Sequence, residues 1–271
     1  MVNKLFHHIK FYYRAYRRLE LLNKSASLSF YTLISIFPML MLLAVLFDKL
    51  VIQDILLKSL SAFILESLPY QSDFIMQMVA NVFKSQSKFS WFGLITLFFT
   101  AQVLYMNLGK IVNSLLHTSN KRHFIINRLF FLIWMISIVF VILSPLIFEM
   151  IMGWMISFGF EFKAYSQFFI RGGFVFVGMV SFLVVMLILP TNRLNLKRLL
   201  YGSIGFALTL QIGKAIFKWF TYINIDRYNL IYGSLSSIIL VLLWIFYFYN
   251  MFLFFIYWVG RERDPHFTEK N

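Results

Sequence analysis

The chain has 271 residues, 60% of them hydrophobic and only 13% charged, with a mean hydropathy of +0.76 and no cysteine. Soluble domains run near half apolar and about a quarter charged, so a water-facing surface of this size is excluded; the missing cysteines exclude disulfides, thiol catalysis and thiolate metal sites. A net charge of +14 would suit nucleic acid, but the bases follow the pattern that a membrane imposes, and no nucleic-acid partner is expected.

Residues 1–24 hold Lys4, Lys10, Arg14, Arg17, Arg18 and Lys24 against a single acid, Glu20, interleaved with Phe6, Phe11, Tyr12, Tyr13 and Tyr16. This reads as a basic amphipathic segment at a membrane surface. It lacks the apolar core and small-residue cleavage site of a signal peptide, so no cleavable leader is expected.

Six apolar runs follow, at about 26–47, 91–113, 128–152, 172–190, 199–222 and 232–258. Each is near the ~20 residues needed to cross a hydrocarbon core. Inside lipid the backbone must satisfy its own hydrogen bonds, so an open chain crosses as helix. The expectation is an all-α polytopic bundle of six transmembrane helices. Its domains are the segment 1–24, a membrane domain over 25–260 and a cytoplasmic tail over 261–271. Between the first and second spans, residues 54–83 repeat apolar side chains with a helical period broken at Pro69. Two amphipathic helices on the outer face, or a cap over the bundle, account for that pattern.

Charge gives direction. The links after the second and fourth spans carry Lys121, Arg122 and Arg128, then Arg193, Lys197 and Arg198, with no acid. Residues 48–90 balance Lys49, Lys58, Lys84 and Lys88 with Asp48, Asp54, Glu66 and Asp73, and the link after span five holds only Asp226 and Arg227. The positive-inside rule places both termini in the cytoplasm.

The first span is rich in hydroxyls. Ser25, Ser29 and Thr32 share a stripe with Ser35 at its edge, Tyr31 lies beyond it, and Pro38 is placed to kink the helix or free a carbonyl. Two readings stand: small hydroxyl residues packing helix on helix, or the lining of a polar path. In the fifth span, Gly202, Gly205, Thr209 and Gly213 share a close-packing face, while Gln211, Lys214 and Lys218 share the other. Lys214 lies roughly 12 Å inside Tyr222 at 1.5 Å per residue. A lysine at that depth costs a few kcal/mol unless it snorkels or finds a partner; the alternatives are snorkelling and attraction of an anion or lipid headgroup. Tyr232, Gly233 and Ser234 stand at the outer entrance to span six, where the glycine permits close approach or a hinge. In span two, Gln102 is expected to bond across helices, and Asn113 to approach the cytoplasmic interface. Glu149 and Arg171, at the outer ends of spans three and four, are candidates for a pair.

Four blocks in order carry a resemblance: "SASLSFYTLISIFPMLMLL" with Ser27, Phe30, Tyr31, Ser35, Phe37 and Pro38; "FGLITLFFTAQVLYMNLGKIVN" ending on Asn113; "LPTNRLNLKRLLYGSIGFALTLQIGKAIFKWF" with Pro190, Gly202, Lys214 and Phe217; and "IYGSLSSIILVLLW" with Tyr232, Gly233, Ser234 and Trp244. Together they resemble the YihY/BrkB family of bacterial inner-membrane proteins, over about residues 24–262. Arg261 departs from the pattern, standing where the family usually has a small residue. The resemblance implies a six-helix protein of the bacterial inner membrane. The family's older label, ribonuclease BN, reads as a misassignment. A metal nuclease needs clustered acids or histidines, whereas His7, His8, His117, His123 and His266 are scattered. No catalytic residue, metal or cofactor is expected, and the chain is read as not an enzyme. The expected activity is that of a transporter or flippase-like protein for an amphiphilic or anionic envelope or lipid substrate, with membrane lipids as partners. A non-transporting scaffold for envelope machinery is the competing class. The sequence has no G-x-x-x-x-G-K-[ST] loop, so energy would come from a gradient, a partner ATPase or nothing at all.

Overall fold

The structure is a computed structural model, and it describes residues 2–48, 58–62, 64, 76–77, 79–81, 91–118, 124–158, 166–190, 194–232 and 235–263. Among these the chain is all helical, with no strand. Helix α1 spans Val2–Arg18, α2 Leu21–Asp48, α3 Trp91–Leu115, α4 Phe124–Ser157, α5 Ser166–Ile188, α6 Leu196–Tyr232 and α7 Ser236–Gly260, followed by a short 3-10 turn, Arg261–Arg263. The six helices from α2 to α7 run 23 to 37 residues. Among the described residues, Leu196–Tyr232 and the continuous helical stretch Ser236–Arg263 are long and apolar enough by composition to cross a membrane.

Several boundaries differ from the hydropathy reading. The fifth apolar run closes near 222, yet α6 stays helical to Tyr232, so residues 223–231 are helix and not a link. Hydropathy reports only the stretch that tolerates hydrocarbon, whereas backbone hydrogen bonding continues in water or at an interface. Tyr228 supports this extension by lying against Phe220 and Tyr232, with ring centroids 6.1 and 5.8 Å apart. At 37 residues, α6 is roughly 55 Å long. Likewise α4 begins before and ends after its apolar run. Helix α2 begins at Leu21, ahead of its apolar run, and its backbone is helical through position 38. Most of the 54–83 segment, Pro69 included, lies outside the described residues; those described within it are helical.

Two helix ends use a left-handed residue. Glu20 (φ 51°) turns the chain between α1 and α2, and His117 (φ 51°) closes α3. At the latter, Thr118 N–H donates to the Asn113 carbonyl at 2.9 Å, the six-to-one bond that satisfies orphan carbonyls where a helix stops.

The packing closes on itself. Helix α2 lies on α3 and α7, α7 also lies on α6, α6 on α5, and α5 on α4. Helix α4 returns to α3 through Phe131 and Trp134, whose rings meet Tyr105 at 5.5 and 5.6 Å. A second aromatic stack, Phe182, Phe206 and Phe252, ties α5, α6 and α7 together. Burial is uneven along the bundle. It concentrates where α2 and α6 begin and where α3, α5 and α7 finish: Leu21, Leu28, Leu115, Leu116, Met186, Leu199 and Leu253 are all within 2% of fully buried. We call this the near end.

Candidate functional site

Polar side chains inside an apolar bundle are the features most in need of a physical account, because each costs free energy unless bonded. In α2, Ser25 donates to the Leu21 carbonyl at 2.7 Å and Ser29 to the Ser25 carbonyl at 2.6 Å, so both hydroxyls turn back on their own helix. Ser25, Ser29 and Ser35 are all essentially buried. One turn on, Thr32 Oγ1 and the Tyr249 hydroxyl of α7 are 2.8 Å apart, a hydrogen bond across the seam. Tyr31 is half-buried beside the core, edge-on to Phe30.

Beside Tyr249, Asn250 is buried and accepts a 2.7 Å bond from the Tyr16 hydroxyl. Helix α1 is thereby fastened to the interior of α7. Burial holds the Tyr16 phenol above its ordinary pKa, so it stays a donor through the physiological range. Tyr12 of the same helix accepts a bond from Arg261 and lies against Phe254, and the Arg261 guanidinium covers the Trp258 ring at 4.8 Å. Glu262 pairs with Arg198 at the start of α6. The Arg198 hydrogen bond, with help from the charges of Arg198 and Arg261, holds the Glu262 carboxyl below its usual range. The short turn after α7 therefore joins α1 to α6. Arg261, unusual at its position by sequence, has this defined role.

On the other side of α7, the glycine face of α6 is filled. A Cβ at Gly202 would fall 2.4 Å from Val259, one at Gly205 2.5 Å from Phe255, and one at Gly213 2.2 Å from the Tyr247 ring. Tyr247 cannot swing aside cheaply, because its hydroxyl donates to the Thr209 carbonyl at 2.9 Å. Gln211 and Lys214 lie half-buried on the remaining faces of α6, and Lys218 is exposed. Tyr232 is exposed at the helix end. Gly233 and Ser234 lie outside the described residues, as do the side chains of Pro38, Glu149 and Arg171.

The structure thus joins Thr32 to α7, and α2 and α6, which carry the hydroxyl stripe and the Gln211–Lys214 pair of polar side chains, both pack on α7. Two tyrosines two residues apart on α7 reach opposite neighbours, Tyr249 to α2 and Tyr247 to α6. Sequence reading passed over them because "FYFYN" scores as aromatic filling; the asparagine was the signal to follow. Gln102 is buried, and its amide oxygen has no hydrogen-bond partner among the described residues. A cross-helix amide of α3 is Asn113, which donates to the carbonyls of Gly109 at 2.8 Å and Leu189 at 3.1 Å and accepts from Thr118 at 2.6 Å. It satisfies a carbonyl freed where α5 stops.

Over residues 12–259 the sequence matches the family model described as Virulence factor BrkB. The chain belongs to the BrkB family. Among similar proteins named UPF0761 membrane protein, that of Haemophilus influenzae is 24% identical over 229 residues, covering 82% of each chain. That of Aggregatibacter aphrophilus is 23% identical over 249 residues, 86% of this chain and 84% of its own. The Mannheimia succiniciproducens protein is 20% identical over 244 residues, 86% and 82% respectively. No solved structure matches. Relatives named as membrane proteins and the long apolar helices agree: this BrkB-family chain is a bacterial membrane protein, helical across its described residues.

Proposed function

We propose that this BrkB-family protein crosses the inner membrane six times through α2 to α7, with both termini and α1 on the cytoplasmic side. In this reading it moves an amphiphilic, anionic lipid or envelope precursor and catalyses no covalent chemistry. Residues 1–24 and 261–271 are its cytoplasmic parts, and 54–83 lies against the outer face. The observation that carries the transport reading is the polar contact between α2 and α7, where Thr32 meets Tyr249 with buried Asn250 next to it in sequence, and where Ser29 and Ser35 of the same α2 stripe are buried.

The seam is suited to parting. Hydrogen bonds between membrane helices are worth about 0.6 kcal/mol on average, and the two stripe serines bond within α2 and lose nothing when it moves. Helices α6 and α7, by contrast, interlock through glycines and would move as one body. The substrate route is therefore the α2–α7 seam, with Tyr31 at its edge. Gln211, Lys214 and the Tyr232–Ser234 segment supply polar and basic groups along the α6 side, where Lys214 attracts the negative headgroup.

A scaffold that moves nothing is favoured by a different observation, the near-complete burial of Ser25, Ser29 and Ser35. Proteoliposomes carrying a fluorescent anionic lipid separate the two. Wild-type protein is expected to equilibrate the label between leaflets, and Thr32→Val and Lys214→Gln to slow it at least tenfold with insertion intact. Equal rates in protein-containing and empty vesicles would remove the transport reading and leave the scaffold.

A further inference from the structure

Helix α1 has two faces with opposite characters. On one, Ala15 is buried and Tyr12 and Tyr16 are bonded to Arg261 and Asn250. On the other, Lys10, Arg14 and Arg17 are all exposed. Their spacing of four and then three residues stacks them in one row along the helix. Like charges at these spacings destabilise a helix, and no acid interrupts the row. A cationic ridge is held together at a cost, on a helix whose other face is fixed to the bundle. That fastening pre-organises the three charges, which lowers the entropy lost when they engage a partner. Tyr13, 60% exposed within the ridge, and Leu22, 50% exposed at the start of α2, add the aromatic and apolar character of residues at headgroup depth.

We propose that the Lys10–Arg14–Arg17 ridge is a binding surface for anionic phospholipid headgroups, fixing the near end of the bundle to a phosphatidylglycerol-rich patch. The assignment rests on the membrane reading above, but not on transport. Basic residues next to a bilayer attract anionic lipid by an amount that multiplies with each charge, and the attraction is screened by salt.

The full chain is reconstituted in nanodiscs of mixed phosphatidylcholine and phosphatidylglycerol, released with mild detergent, and its retained lipids are counted by native mass spectrometry. Wild type is expected to retain phosphatidylglycerol in excess. Lys10→Gln/Arg14→Gln/Arg17→Gln should lower the excess by about fivefold per charge at low salt. Arg14→Lys/Arg17→Lys should keep it, which separates loss of charge from loss of fold. Equal enrichment in wild type and the glutamine variant would overturn the proposal. So would salt-sensitive binding of a purified acidic peptide without lipid enrichment, which would reassign the ridge to a protein partner. Both leaflets of the nanodisc carry the same lipids, so the readout does not depend on orientation in the cell. Labelling of a Tyr13→Cys variant in intact cells tests orientation separately, in a chain with no native cysteine.

Discussion

The two ends of the bundle are built differently. At the near end, side chains from α2, α3, α5, α6 and α7 are buried against one another, and α1 and the turn after α7 are bonded over them. Toward the opposite end, more of the large apolar side chains face outward: Met150, Trp154 and Phe158 at the close of α4, and Trp219, Tyr222, Leu230 and Ile231 along α6 are all at least 65% exposed, against Leu196 and Tyr201 at the near end. The glycines show the same contrast. Gly202 and Gly260 are at van der Waals overlap with any added Cβ, whereas Gly153 and Gly172 have nothing within 4 Å; Gly173, against Phe148, is an exception at the far end. One end is held by close packing and directed hydrogen bonds. At the other, the described residues turn more of their large apolar side chains outward, a surface suited to hydrocarbon.

The contrast can be broken most forcefully at the glycines. Gly202→Ala should cost about 1–3 kcal/mol from forced overlap with Val259. Gly153→Ala should gain up to about 1 kcal/mol, since alanine is the better helix former. Thermal unfolding in detergent reads both, and equal effects would remove the distinction. Next in size is Tyr16→Phe, which leaves the buried Asn250 oxygen without that donor and should cost about 1–2 kcal/mol. Tyr13→Phe, at an exposed position on the same helix, should cost nothing measurable. Tyr249→Phe removes the bond to Thr32 and is expected to cost about 0.6 kcal/mol, with a further drop for Thr32→Val in the same background of less than half that amount if the pair acts as a unit.

The smallest effect is the Glu262–Arg198 pair. The folded carboxyl titrates below its ordinary value of 4.5, so the pair's contribution is fully present above that value. It fades as pH falls from about 4.5 through the folded pKa. Both groups meet water, so salt should erase the difference. Protease sensitivity of the chain beyond α7, followed from neutral to acid pH in wild type and Glu262→Gln, checks it: only wild type should change.

Much of this was legible in the sequence. The all-helical class and the family follow from apolar runs and four ordered blocks, and the helices fall on those runs. Helix ends were less legible, because α6 and α4 continue as helix where their composition turns polar. The site was legible in part. Hydroxyls in α2 and glycines in α6 were visible as faces, but their partners were not: Tyr16 meets Asn250 across 234 residues, and Thr32 meets Tyr249 across 217.

The sequence by itself determined that the solvent is hydrocarbon and that the backbone is helical, since both depend on local composition and on hydrogen bonds within one segment. Only the tertiary structure decided which polar groups meet, where glycine admits a neighbouring ring, and that α1 is bonded to the bundle interior. The reason is that lipid rewards every apolar face alike. Hydropathy therefore cannot choose between faces, and the choice falls to shape and to a few directed bonds between distant residues.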